Sequence, residues 1–225
     1  MRMLKHKNKI IAAAVIIILL AASWVFGGRY ATRKGSDQKN TKETVTQNVT
    51  ENPGSTTPTK DKYQTDPVPE GKPLPVEPQD VIAGDGEFTC VISVSCDTIL
   101  DNMKFLDKEK RELVPDDGVI FPETAVVFYE GESVFNVLQR TMKQNRIHME
   151  FVNTPIYNSA YIEGINNLYE FDAGELSGWM YKVNGWFPNY GCSRYQLKDG
   201  DVIEWVYTCD LGYDVGGSNA VGGEK

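Results

Sequence analysis

Residues 88–96 alternate strictly between two faces. Phe88, Cys90, Ile92, Val94 and Cys96 share one side, and Thr89, Val91, Ser93 and Ser95 share the other. A period of two over this length predicts a β-strand. A polar connection follows over 97–122, with Ile99, Met103, Phe105 and Leu106 available to the core. Residues 125–129 predict a second, short strand, and Glu130-Gly131-Glu132 a turn. The period then changes. Val134, Val137, Leu138, Thr141 and Met142 recur at helical spacing behind Ser133, a good N-cap, and form one apolar stripe that ends at Asn145. Strand patterns resume at 147–152, 157–165, 168–171 and 178–183. Asn184-Gly185 is a favoured two-residue hairpin turn because both residues tolerate positive φ. Residues 195–197 lead into a second turn at Asp199-Gly200, and 202–209 form the last strand, with Ile203, Trp205, Tyr207 and Cys209 on one face.

Strands, one helix, then further strands predict an α+β domain, a β-grasp-like sheet with one packed helix. A seven-strand sandwich is the alternative, and the helix counts against it. In a β-grasp the first and last strands are parallel neighbours, so Cys96 and Cys209 would fall close together at their ends. Cys90 and Cys96 lie on one strand about 20 Å apart, beyond the ~7 Å a disulfide spans. The expected bridge is therefore Cys96–Cys209, with buried free thiols as the competing state.

The flanks differ in kind from this region. Arg2, Lys5, Lys7 and Lys9 precede 17 uncharged residues, Ile10–Phe26. At about 1.5 Å per residue that run nearly crosses a bilayer core. Residues 1–26 read as a signal-anchor, an N-terminal membrane helix with its basic end cytoplasmic. Cleavage after the small residues near Ala21-Ala22-Ser23 would instead release the protein. Residues 27–86, rich in Thr, Pro, Asn and Lys, read as a disordered stalk. The folded domain is assigned to 87–213 and a disordered tail to 214–225. The expected localisation is the cell membrane, single-pass, with the C-terminal domain extracytoplasmic.

Charge narrows the partners. The chain carries a net charge of −8, and acids outnumber bases by about two to one within 87–213. Such a surface does not draw nucleic acid. His148 is the one histidine of the domain and no Cys-x-x-Cys is present, so no metal site is expected. Catalytic motifs are missing from the sequence as well. The expectation is a non-enzymatic protein with no required cofactor.

Three of the four tryptophans, Trp179, Trp186 and Trp205, fall within 177–207. Strand alternation assigns Trp179, Tyr181 and Trp205 mainly to the core. The segment Trp186-Phe187-Pro188-Asn189-Tyr190 has no period and follows a tight turn. It either folds its rings back as a plug or presents them to a ligand. Trp186, Phe187, Asn189 and Tyr190 are accordingly candidate ligand-binding residues, with Tyr161 and Asn166 on the same rim.

Three motifs occur in order: Gly131-Glu132-Ser133-Val134, then Gly178-Trp179-Met180-Tyr181-Lys182-Val183-Asn184-Gly185, then Leu197-Lys198-Asp199-Gly200-Asp201-Val202. Together they resemble the transcobalamin-like C-terminal domain family, exported bacterial domains similar to the last domain of transcobalamin and intrinsic factor. The resemblance spans 88–211. It implies a β-grasp fold with a face for a soluble ligand, and a cobalamin or other corrinoid as that ligand. The functional expectation is a membrane-anchored extracytoplasmic binding module for a small molecule. A cell-surface structural or adhesive module for protein partners is the alternative.

Overall fold

The computed structural model describes residues 60–221, all within the compact unit Ser55–Lys225. The expected membrane segment 1–26 and most of the expected stalk lie outside the described residues. Among the described residues no helix is long and apolar enough to cross a membrane.

The strand patterns of the sequence become seven strands: β1 (Glu87–Ser95), β2 (Val119–Tyr129), β3 (Met149–Thr154), β4 (Ser159–Ile165), β5 (Leu168–Tyr169), β6 (Gly178–Val183) and β7 (Val202–Thr208). They form two sheets rather than one. A mixed four-stranded sheet has the order β2-β1-β7-β6, and a three-stranded antiparallel sheet has the order β3-β4-β5. The expected parallel pairing of first and last strands is present, running from Val91 opposite Val202 to Ser95 opposite Val206. β2 is longer than its apolar pattern suggested, because its first half pairs with the end of β1 through two register shifts. Residues 195–197 do not form a strand, and only Gln196 bridges, to Ser133.

Among the described residues there are two α-helices. The short α1 (Thr98–Asn102) went unrecognised in the sequence because one turn carries too little periodicity to register; it buries Ile99. The helix α2 (Val134–Asn145) buries the five residues of the expected stripe. Ser133 closes its N-terminus with a capping box shared with Asn136. Val134, Val137, Leu138 and Met142 have no exposed surface; each such aliphatic contributes about 1.5–3 kcal/mol when fully buried. They pack on Cys90, Ile92, Ile203 and Trp205 from β1 and β7. A second cluster at the far end of the same strands joins Cys96, Ile99, Leu106, Leu168 and Tyr207.

Two expectations about disorder are corrected. Residues 60–86 are not a free stalk, since Val68 packs on the main cluster and Thr65 is buried. The tail is also placed. Asp214 accepts from Thr208 Oγ1 and, at 2.7 Å, from the Cys209 amide, and a short 3-10 turn spans Ser218–Val221. In both segments packing and hydrogen bonds to the domain offset the ordering entropy that their composition alone could not.

The Cys96–Cys209 bridge is also corrected. All four cysteines carry free thiols. Cys96 and Cys209 do share one cluster, but the Cys209 thiol turns to the Thr98 hydroxyl at 3.7 Å. Burial pushes the Cys96 thiol up to about 12, with Asp97, Asp117 and Cys209 adding to the rise.

Candidate ligand-binding cleft

The site is assembled around Arg194, whose side chain is only 1% exposed. A buried guanidinium needs hydrogen-bond partners; here Nη1 and Nη2 have them and the buried Nε has none. Those partners come from 60–77: Nη2 donates to Asp61 Oδ2 at 2.7 Å and to Glu77 Oε1 at 2.6 Å, and Nη1 donates to Thr65 Oγ1 at 2.5 Å. The Arg194 guanidinium also lies 5.2 Å from the centre of the Tyr63 ring. Asp61 in turn accepts the backbone N–H groups of Tyr63 and Thr65, both at 2.8 Å, which lets Gln64 adopt a left-handed conformation with φ of 62°. Burial opposes ionisation of Asp61, but the Arg194 hydrogen bond and the Thr65 and Tyr63 amides outweigh it. The carboxyl is held below its ordinary value of 3.8.

This strap crosses the aromatic loop and is bonded to it. Tyr190 Oη donates to Pro73 O at 2.7 Å, and Asn189 Nδ2 donates to Asp66 O at 3.0 Å. Val76 N donates to Arg194 O at 2.9 Å. Between the strap, the loop, β4 and β6 lies a cleft of about 450 Å³, within the range of small-molecule sites. Tyr63, Tyr157, Tyr161, Trp179, Tyr181 and Tyr190 furnish its aromatic walls, and Lys60, Asp66 and Arg194 its charges. Tyr157 and Tyr161 are about half exposed at the rim. Tyr161 Oη donates to Glu170. Burial and that carboxylate raise the Tyr161 phenol above its ordinary range, so it remains a hydrogen-bond donor at neutral pH. The Asn189 Oδ1 is buried without a hydrogen-bond partner.

The structure brings together three of the six residues expected at the site: Tyr161, Asn189 and Tyr190. The other three do not line it. Trp186 packs on the main cluster, 6.0 Å from Tyr190 and 6.5 Å from Tyr195 between ring centres, under the Lys72 ammonium at 5.4 Å. Phe187 is buried against Gly217, where an added Cβ would stand 2.8 Å from the ring. Asn166 sits at the β4–β5 turn with φ of 54°, donating to Leu113 O at 2.9 Å. All three rings of the loop thus pack inward, and Tyr190 alone of them also borders the cleft. Trp205 is core, as expected. Trp179 has both roles. Its indole packs edge-on against Tyr207 at 5.2 Å and donates to Leu168 O at 2.8 Å, while another part faces the cleft.

Sequence reasoning missed Tyr63 and Arg194. A signal was present: Tyr63 is the one aromatic residue between 31 and 86, an unusual expense in a stalk. Among the described residues no group of three or more His, Cys, Asp or Glu side chains converges as a metal site.

Residues 131–209 match a family model described as a domain of unknown function (DUF4430). This span holds α2, both loop turns and every strand from β3 to β7. No curated protein matches the chain. Among solved structures, haptocorrin in complex with Cbi aligns with a TM-score of 0.42 and 15% identity, over 58% of this chain and 27% of that one. This chain therefore spans about a quarter of haptocorrin. A Ruminococcus gnavus protein described as a candidate metal binder aligns with a TM-score of 0.33 and 15% identity, over 54% of this chain and 96% of that one.

Proposed function

We propose that the domain is a non-enzymatic binding module whose cleft between β4 and β6 takes a small soluble molecule with a flat apolar face. The observation that carries this reading is the cleft itself: six aromatic side chains around about 450 Å³. Aromatic walls reward a planar ligand. The few polar groups fix its orientation. A corrinoid has this shape, and the motif resemblance to the transcobalamin-like C-terminal domain family, a β-grasp family, supports it as the first ligand to try. The basic N-terminus and the uncharged run 10–26 support an anchored, outward-facing module.

Trp179 makes the test direct, because its indole borders the cleft. The detergent-solubilised full chain is titrated with cobalamin and with cobinamide while tryptophan emission is followed. Saturable quenching that is lost in Tyr190→Ala is the expected result. No saturable change up to about 1 mM, the limit of weak specific binding, rules against corrinoid recognition. A second reading, a surface module for protein partners, is favoured by Ile156 and Tyr157, exposed side by side between β3 and β4 at 61% and 52%.

A further inference from the structure

A second cavity, of about 620 Å³, lies on the other side of the strap. Its walls are the 3-10 turn Pro78–Asp80 with the residues after it to 83, the first turn of α2, and the β3–β4 hairpin. Gly131 permits this arrangement: with φ of +86°, an added Cβ would meet Val81 Cγ1 at 2.9 Å and Ile82 O at 3.0 Å. At roughly 30 Å³ per water the space corresponds to on the order of twenty waters.

Its chemistry differs from that of the cleft. Not one Asp, Glu, Lys or Arg lines it, in a domain otherwise rich in acids. A charged ligand would lose its hydration there without an opposite charge in return. The lining instead combines the Phe135 ring, Val81 and Pro155 with the side-chain amides of Asn136, Asn153 and Asn158. Two of these amides are oriented from behind. Asn136 Oδ1 accepts from Ser133 N at 2.9 Å and Ser133 Oγ at 2.7 Å, which leaves its Nδ2 as a donor. Asn158 Nδ2 donates to Glu77 Oε2 at 2.5 Å and Gln79 Oε1 at 2.9 Å, which leaves its Oδ1 as an acceptor. Asn153, exposed at the mouth, offers both. A fixed donor, a fixed acceptor and an apolar floor without charge match a neutral molecule bearing hydroxyl groups around an apolar ring face.

We propose that this cavity is a separate binding site for neutral carbohydrate, a short run of uncharged pyranose units. The site adjoins the aromatic cleft, sharing Thr154, Ser159 and Ala160 with it, but differs from it in chemistry and stands whether or not the cleft binds a corrinoid. A free oligosaccharide and a chain end of an insoluble polysaccharide present the same chemistry.

The full chain is examined by saturation-transfer NMR with maltotriose, cellotriose and triacetylchitotriose, and by co-sedimentation with insoluble cellulose and chitin. Trigalacturonate is the charged control. The proposal expects saturable binding of at least one neutral trimer or polymer and none of trigalacturonate. Binding to a trimer points to a soluble ligand, and binding to a polymer alone to a surface glycan. Asn153→Asp places a charge at an exposed position that the fold does not need, and is expected to weaken binding at least about tenfold with an unchanged circular dichroism spectrum. Phe135→Leu, which keeps apolar bulk but removes the ring, is expected to weaken it similarly. The proposal is overturned if no neutral saccharide binds up to about 10 mM, a range that neutral hydrogen bonds reach. It is overturned equally if binding is unmoved by Asn153→Asp, or if trigalacturonate binds as well as the neutral trimers.

Discussion

Arg194 Nη2 donates to Asp61 Oδ2 at 2.7 Å across 133 residues of sequence, and to Glu77 Oε1 at 2.6 Å. This buried cation joins the two ends of the strap to the domain, beside the Tyr190–Pro73, Asn189–Asp66 and Asn158–Glu77 hydrogen bonds. Arg194→Ala would leave Asp61 and Glu77 facing an apolar gap. Both carboxylates retain some solvent, with side-chain exposures of 37% and 22%, so the loss is expected near the low end for a broken buried pair, about 3 kcal/mol. Urea unfolding measures it, and faster proteolysis between 60 and 77 locates it. A stability within about 0.5 kcal/mol of the parent would show that the strap adds nothing to the fold.

The same contact sets an acid limit. Because the folded-state carboxyl of Asp61 lies below its ordinary value of 3.8, its contribution is present at neutral pH and fades as pH falls through the folded value. Amide exchange in the strap is therefore expected to rise in acid, below about pH 4, ahead of exchange in β1 and β7. Asp61→Asn should exchange at the faster rate already at neutral pH. Strap protection that is flat from neutral pH down to pH 3 in the parent chain would contradict this account.

The thiols should react in order of exposure. Burial pushes Cys192 up to about 12 and Cys90 to about 11, and Cys96 is equally enclosed. Cys209 is part exposed, although burial raises its thiol as well. Since the thiolate is the nucleophile, iodoacetamide near pH 8 should label Cys209 first, with the other three following only on unfolding. Peptide mass spectrometry reads the order. Early labelling of Cys90 or Cys192 would show that the core opens.

Ser133→Ala removes the oxygen that caps α2 and accepts the Asn136 amide. A cost of about 1 kcal/mol is expected. It should appear in thermal unfolding, with Ser133→Asp, an equally good cap, losing less. Equal losses would assign the effect to packing of the buried Ser133 position.

Most of the framework could be read from residue pattern. The stripe from Val134 to Met142 and the alternation from Cys90 to Cys96 each have one period and one burial outcome, so local pattern and tertiary packing agree there, whereas Phe88, on the same face, is exposed. The division into two sheets could not be read, because it depends on which strand edges meet, and β3, β4 and β5 carry the same period as the others. The site was half legible for a related reason. Tyr190 and Asn189 belong to a loop without period, where composition marks the place but not the direction of each ring. Phe187 turned under the tail at Gly217, a neighbour far along the chain. The strap was misread because its average composition resembles a linker. Its order depends on three side chains, Asp61, Thr65 and Glu77, that make sense only once Arg194 stands opposite them.

Lys60 already borders the cleft, so the chain enters the described structure at the rim of the proposed site. A load applied along the polypeptide from that end would first meet Asp61 and its bond to Arg194. It would peel these contacts one after another before reaching the β1–β7 pairing, whose parallel hydrogen bonds would have to yield together. The cleft wall would thereby yield to a load applied at Lys60 before the sheet behind it.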